Sequence, residues 1–141
     1  MKYVGIKSCD EKRKALNKKG IIATVLVNDL FGKDCERHLE YLYKRRNPYK
    51  DYYREQGRGP TWIKKKQRAF SYLLESIMLT GYHPEKHGYI TVSENGARLD
   101  GSHRVAILKW IGVKKVDVKV VPMKMTKELE KHLQEQQEKY G

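Results

Sequence analysis

The sequence predicts a single small α/β domain. Three observations carry that expectation. β-branched runs alternate with stretches of helical periodicity along the chain, an Asn95-Gly96 hairpin signal joins two short apolar arms, and 141 residues is the length at which one hydrophobic core is the default. The hydrophobic fraction of 39% is low and the charged fraction of 33% is high, so the core must be compact and the surface strongly ionic.

Taken in order, the elements follow from local chemistry. Ser8-Cys9-Asp10-Glu11 has the spacing of a capping box, which predicts a short helix running to about Lys18 and stopped by Gly20. Ile21 to Val27 is a β-branched run bounded by Gly20 and Asn28-Asp29, and it reads as a buried core strand. Asp34 to Lys44 reads as a helix with Cys35, Leu39 and Leu42 inward. Arg45 to Pro60 contains Asn47-Pro48 and Gly57-Arg58-Gly59-Pro60 without an apolar period, and it reads as a long exposed connection.

Thr61 to Thr80 is the clearest helix. Thr61 is its expected N-cap, Phe70, Leu73, Leu74 and Ile77 line the face expected to pack on the sheet, and Gly81 stops it. Tyr89 to Ser93 and Ala97 to Leu99 form the arms of the hairpin. Ser102 to Trp110 resumes helical spacing with Val105, Ala106, Leu108 and Trp110 available for packing, and Gly112 ends it. Val116, Val118, Val120 and Val121 mark a final strand, and residues 126–141 a C-terminal helix or tail with Leu129 and Leu133 as its sparse apolar stripe.

Thirty Lys and Arg against seventeen Asp and Glu give a formal charge of +13, an excess that favours polyanionic or phosphorylated partners. The two cysteines, Cys9 and Cys35, suggest neither a disulfide framework nor a zinc site, which fits a reducing cytoplasm. No apolar run reaches the ~20 residues of a membrane span, so a soluble protein with no membrane partner is expected. His83 and His87 are spaced like a metal pair, but Pro84 between them and the lack of a third ligand beside them lead to no metal site being assigned.

The chemistry concentrates at Asp100-Gly101-Ser102-His103-Arg104. There a strand arrives, glycine permits a sharp turn, and a helix begins at once, so free backbone NH groups converge where the helix dipole is positive. Gly101, Ser102, His103 and Arg104 are therefore the predicted phosphate-binding residues: a close backbone approach, a hydroxyl, an imidazole and a planar guanidinium. Asp100, an acceptor among donors, can hold the turn, bind a nucleotide's metal or act as a base. The plainer alternative is that Asp100 and Ser102 only cap the helix.

The run from Tyr89 to Val92, then Ala97 through Asp100-Gly101-Ser102-His103-Arg104 to Gly112, then Val116 to Val120, resembles the ParB/sulfiredoxin superfamily. The helix ending Glu75-Ser76-Ile77 before Gly81 fits the family order too, so the resemblance covers residues 61–121, a little under half the chain. It implies one compact domain over residues 1–141, with a small mixed sheet and packed helices. It also implies a nucleotide-phosphate site, since members of the superfamily bind CTP and DNA, repair an oxidised cysteine with ATP, or phosphorylate free serine. Two departures narrow this. Sulfiredoxin carries its reactive cysteine where this chain has Ser102, and partition proteins carry an arginine-rich turn and a further helix-turn-helix domain that this chain lacks room for after Arg104.

Two functions follow. The first is hydrolysis of ATP or another nucleoside triphosphate with Mg2+, or phosphoryl transfer to a small molecule, with Asp100, His103 and Glu36 as catalytic candidates and Asp34 considered beside Glu36. The second is nucleic-acid binding, as an accessory factor or nuclease, through Arg45, Arg46, Lys50, Arg54, Arg58, Lys64, Lys65 and Lys66. Tyr41, Tyr43, Tyr49, Tyr52 and Tyr53 are interleaved with cations in and before this stretch. A member that binds a phosphorylated ligand without chemistry is a third reading.

Overall fold

Among the described residues five strands build one mixed sheet: β1 (Val4–Gly5), β2 (Ile21–Leu26), β3 (Thr91–Ser93), β4 (Ala97–Asp100) and β5 (Lys115–Val121), in the spatial order β1-β4-β3-β5-β2. β1 is parallel to β4 and β3 is parallel to β5, while β3 with β4 and β5 with β2 pair antiparallel. The computed structural model describes residues 1–44 and 48–140. Among them the helices are α1 (Asp10–Leu16), α2 (Val27–Leu30), α3 (Lys33–Lys44), α4 (Pro48–Glu55), α5 (Pro60–Thr80), α6 (Pro84–His87), α7 (Ser102–Ile111) and α8 (Lys127–Tyr140).

The period of two along each strand splits the core between the two faces of the sheet. Val92, Val116 and Val118 join Ile90, Val105, Ala106, Leu108, Val27, Leu30 and Cys35 on the side covered by α2, α3 and α7. Ala97, Leu99 and Val121 join Ile6, Ala15, Met123 and Leu133 on the side covered by α1 and α8. Arg98, between Ala97 and Leu99, points to the α3 side. Its buried guanidinium pairs with the Asp34 carboxylate and donates to the Leu30 carbonyl at 2.5 Å, tying the centre of the sheet to the start of α3.

The structure corrects several expectations. β2 is an edge strand, with Ile21 72% and Ile22 51% exposed, and Val27 opens α2 instead of closing the strand. A β-branched run specifies strand geometry but carries no information on how many neighbours the strand will have. α1 starts from Cys9 without a side-chain cap and ends at Leu16, so the Ser8/Glu11 capping box does not form. Gly20 does not stop that helix; it lets β2 approach β5, because a Cβ there would lie 2.4 Å from the Val120 carbonyl oxygen.

The expected loop of residues 45–60 contains α4, and the N-cap of α5 is Gly59, with Pro60 at the first helical position in place of a Thr61 cap. Nor does α5 lie on the sheet. Phe70 and Ile77 pack with Ile107 of α7, with Tyr41, Leu42 and Tyr53 alongside, making α5 a second layer over the helices. No described helix is long and apolar enough to cross a membrane.

Candidate functional site

β4 enters α7 through Gly101, whose φ of 109° and ψ of 21° are left-handed and whose backbone is buried against Ile90. The first intrahelical bond runs from the Val105 amide to the Gly101 carbonyl at 2.9 Å. Gly101 is thus the N-cap residue, and no described side chain caps the helix. Neither Asp100 nor Ser102 takes the capping role, and the NH groups of the first turn lie at the positive end of the dipole.

Three helices supply the side chains around that turn. From α3, buried His38 stacks on His103 with ring centroids 3.9 Å apart, and its Nε2 lies 3.3 Å from Ser102 Oγ. From α5, Phe70 closes the cluster at 5.2 Å from the His103 ring and 5.9 Å from His38. Burial pushes His103 down to about 4, and the cations Lys66, Arg104 and Arg37 push the same way, against the opposing pull of Asp100. Burial, followed by His103, Arg37 and Arg98, drives His38 down to about 2. Both imidazoles are therefore neutral near pH 7 and can donate and accept.

Arg104 is held to one side. Its Nη1 donates to the Tyr89 carbonyl at 2.7 Å, its Nη2 sits 3.5 Å from Asp100 Oδ2, and Gly88 makes room for the guanidinium. Asp100 itself is exposed at the end of β4. Glu36 is exposed on α3 and is not among the α3 groups that act on the two imidazoles. It lines a cleft of about 940 Å³ shared with Lys7, Gly32, Lys33, Asp34 and Arg37. Asp34, the α3 carboxylate considered beside Glu36, is engaged by Arg98. Arg37 borders this cleft and also acts on both imidazoles.

Lys50, Arg54, Arg58, Lys64, Lys65 and Lys66 are all exposed along α4 and the start of α5. Arg45 and Arg46 lie outside the described residues, as do the side chains of Tyr49 and Tyr52. His87 is engaged locally: its Nε2 lies 2.9 Å from Ser76 Oγ and its Nδ1 accepts from the His83 amide at 3.0 Å. Among the described residues no group of three His, Cys, Asp or Glu is arranged to hold a metal.

Sequence reasoning missed Arg37, His38 and Trp62. His38 had a signal, since it stands on the apolar stripe of α3 with Cys35, Leu39 and Leu42, where an imidazole needs a partner. Arg37 had none, because its meeting with the turn is purely tertiary. No family model, curated protein or solved structure matches the chain.

Proposed function

We propose that the turn between β4 and α7 binds the phosphates of a nucleotide or phosphorylated small molecule, and that the chain is a ParB/sulfiredoxin-like protein that hydrolyses a nucleoside triphosphate or transfers its phosphoryl group to a small molecule. The observation that carries the reading is that the charges of Arg37, Lys66 and Arg104, from three helices, all act on the half-buried His103 imidazole at the positive end of α7. Like charges gathered there repel one another and the dipole, and a phosphate offsets that repulsion.

In this reading Gly101 allows close backbone approach, the NH groups and hydroxyl of the Ser102 turn hold phosphate oxygens, and Arg37, Lys66 and Arg104 balance their charge. Positioning and charge stabilisation supply most of the rate. Asp100, exposed beside the turn, is the carboxylate in reach of a nucleotide's Mg2+ or an acceptor's proton; neutral His103 donates or accepts at the same turn. Glu36 takes part where the acceptor occupies the cleft bordered by Arg37.

The test is calorimetry with ATP, ADP, CTP and GTP in the presence of Mg2+ on the native chain, Arg37→Gln and Arg104→Ala. Binding weakened at least about tenfold in both variants is expected, since each removes a charge-assisted contact. Arg37→Gln is the cleaner variant because it leaves the Tyr89 carbonyl paired. No heat with any nucleotide overturns the reading.

A second reading, nucleic-acid binding as an accessory factor or nuclease, is favoured by the exposed cations Lys50, Arg54, Arg58, Lys64, Lys65 and Lys66 and by the charge of +13. Such binding weakens steeply with salt.

A further inference from the structure

α5 starts against its own electrostatics. Its first turn holds no acidic residue, and Lys64, Lys65 and Lys66 follow within two turns, cations where the dipole favours anions. The helix tolerates this within a 21-residue span anchored by Ile63, Phe70 and Ile77, so folding does not need those cations there. Their exposure makes them available to an external polyanion.

An aromatic ring stands among them. Trp62, half-buried, is met edge-on by Tyr53 of α4 with centroids 4.7 Å apart, while the Arg58 guanidinium and the Lys66 ammonium lie over its ring, 4.8 Å and 5.3 Å from the centroid. The hairpin of α4 and α5 fixes this cluster; the sequence pointed to Tyr53, Arg58 and Lys66 as an aromatic and cationic mixture but not to Trp62 at its centre. Trp62, Lys66 and Phe70 follow at intervals of four residues, so they share one face of α5. Phe70 touches His103, and Lys66 acts on both the Trp62 ring and His103. From Trp62 to Phe70 the helix rises about 12 Å, a length suited to a short run of nucleotides rather than one phosphate.

We infer that this strip of α5 is a track for single-stranded nucleic acid, which stacks a base on Trp62 and brings a phosphate of the strand to the first turn of α7. The inference rests on the phosphate-binding reading of that turn and names its ligand class. A stacking ring flanked by guanidinium and ammonium groups recognises an unpaired base with its backbone, because every base has a π face and every phosphate a charge. Duplex hides its base faces and gains only the charge term.

The experiment is fluorescence anisotropy of a labelled oligothymidylate, alone and annealed to its complement, at two salt concentrations. The proteins are the native chain, Trp62→Ala, Trp62→Phe, Arg58→Ala and Arg37→Gln, each checked for folding by circular dichroism. Single strand should bind more tightly than duplex. Trp62→Ala should lose about tenfold, the scale of one stacked base, and Trp62→Phe should recover most of it. Arg58→Ala, at an exposed site, should weaken binding without touching the fold, and Arg37→Gln should weaken it from the α7 end.

Equal affinity for strand and duplex, or native binding by Trp62→Ala, overturns the inference while leaving the nucleotide response of the α7 turn standing. A Trp62→Ala loss confined to free ATP assigns the ring to a mononucleotide and also overturns it. Trp62-dependent strand binding that ignores Arg37→Gln breaks the link to α7 and overturns the delivery step, while the phosphate-binding reading itself fails only if the calorimetry shows no nucleotide response.

Discussion

At Gly101 the addition of one carbon decides whether the site exists. A Cβ there would sit 2.9 Å from Ile90 Cγ1 and 3.2 Å from the Ile90 Cα, on a backbone already at φ 109°. Gly101→Ala is expected to cost about 2–3 kcal/mol, from left-handed strain plus overpacking, and to abolish phosphate binding; urea denaturation and calorimetry check the two effects. His103 sets a pH dependence. Its folded value lies below the ordinary 6.5, so the unfolded chain takes up a proton first. Stability is therefore full above about 6.5 and falls as pH drops toward about 4, by up to about 3 kcal/mol from this group. Urea midpoints across that window should decline, and His103→Gln should reduce the slope, leaving the part that the more strongly depressed His38 contributes. An anion on the turn favours the imidazolium, so phosphate should raise the His103 value and bind more tightly as pH falls, measurable by NMR titration of the ring.

Among the elements, β2 exposes the clearest tension between pattern and place. Its apolar run forms a strand, yet Ile21, Ile22 and Leu26 are exposed on the sheet's edge. Exposed apolar edges invite pairing with another chain. Replacing Ile22 and Leu26 by Lys should change stability by less than about 0.5 kcal/mol per site and reduce concentration-dependent association in sedimentation velocity. At the other end of the chain, Thr126 Oγ1 accepts the Leu129 amide at 3.1 Å and caps α8. Thr126→Ala should cost about 1 kcal/mol in chemical denaturation.

For the molecule as a whole, thirteen surplus positive charges oppose compaction, and any salt screens part of that repulsion. Sulfate or phosphate should raise the thermal midpoint more than chloride at matched ionic strength, because a multivalent anion can also occupy the α7 turn. Equal effects from both salts would reduce the positive charge to a surface property and count against the site.

The sequence by itself determined the α/β class, the long α5, the hairpin, the helix after Gly101 and the strand Lys115–Val121, because helical period, Asn-Gly turns and glycine stops act over a few residues. The left-handed turn at Gly101 was legible for the same reason, being encoded in five consecutive residues. Tertiary structure decided the rest. It put β2 at the edge, laid α5 on helices instead of the sheet, tied Asp34 to Arg98 and set His38 against Ser102 and His103, pairings between residues 64 or more positions apart. No local pattern carries such pairings: strand order and helix docking are settled by the total burial of the chain, which each segment contributes to and none specifies alone.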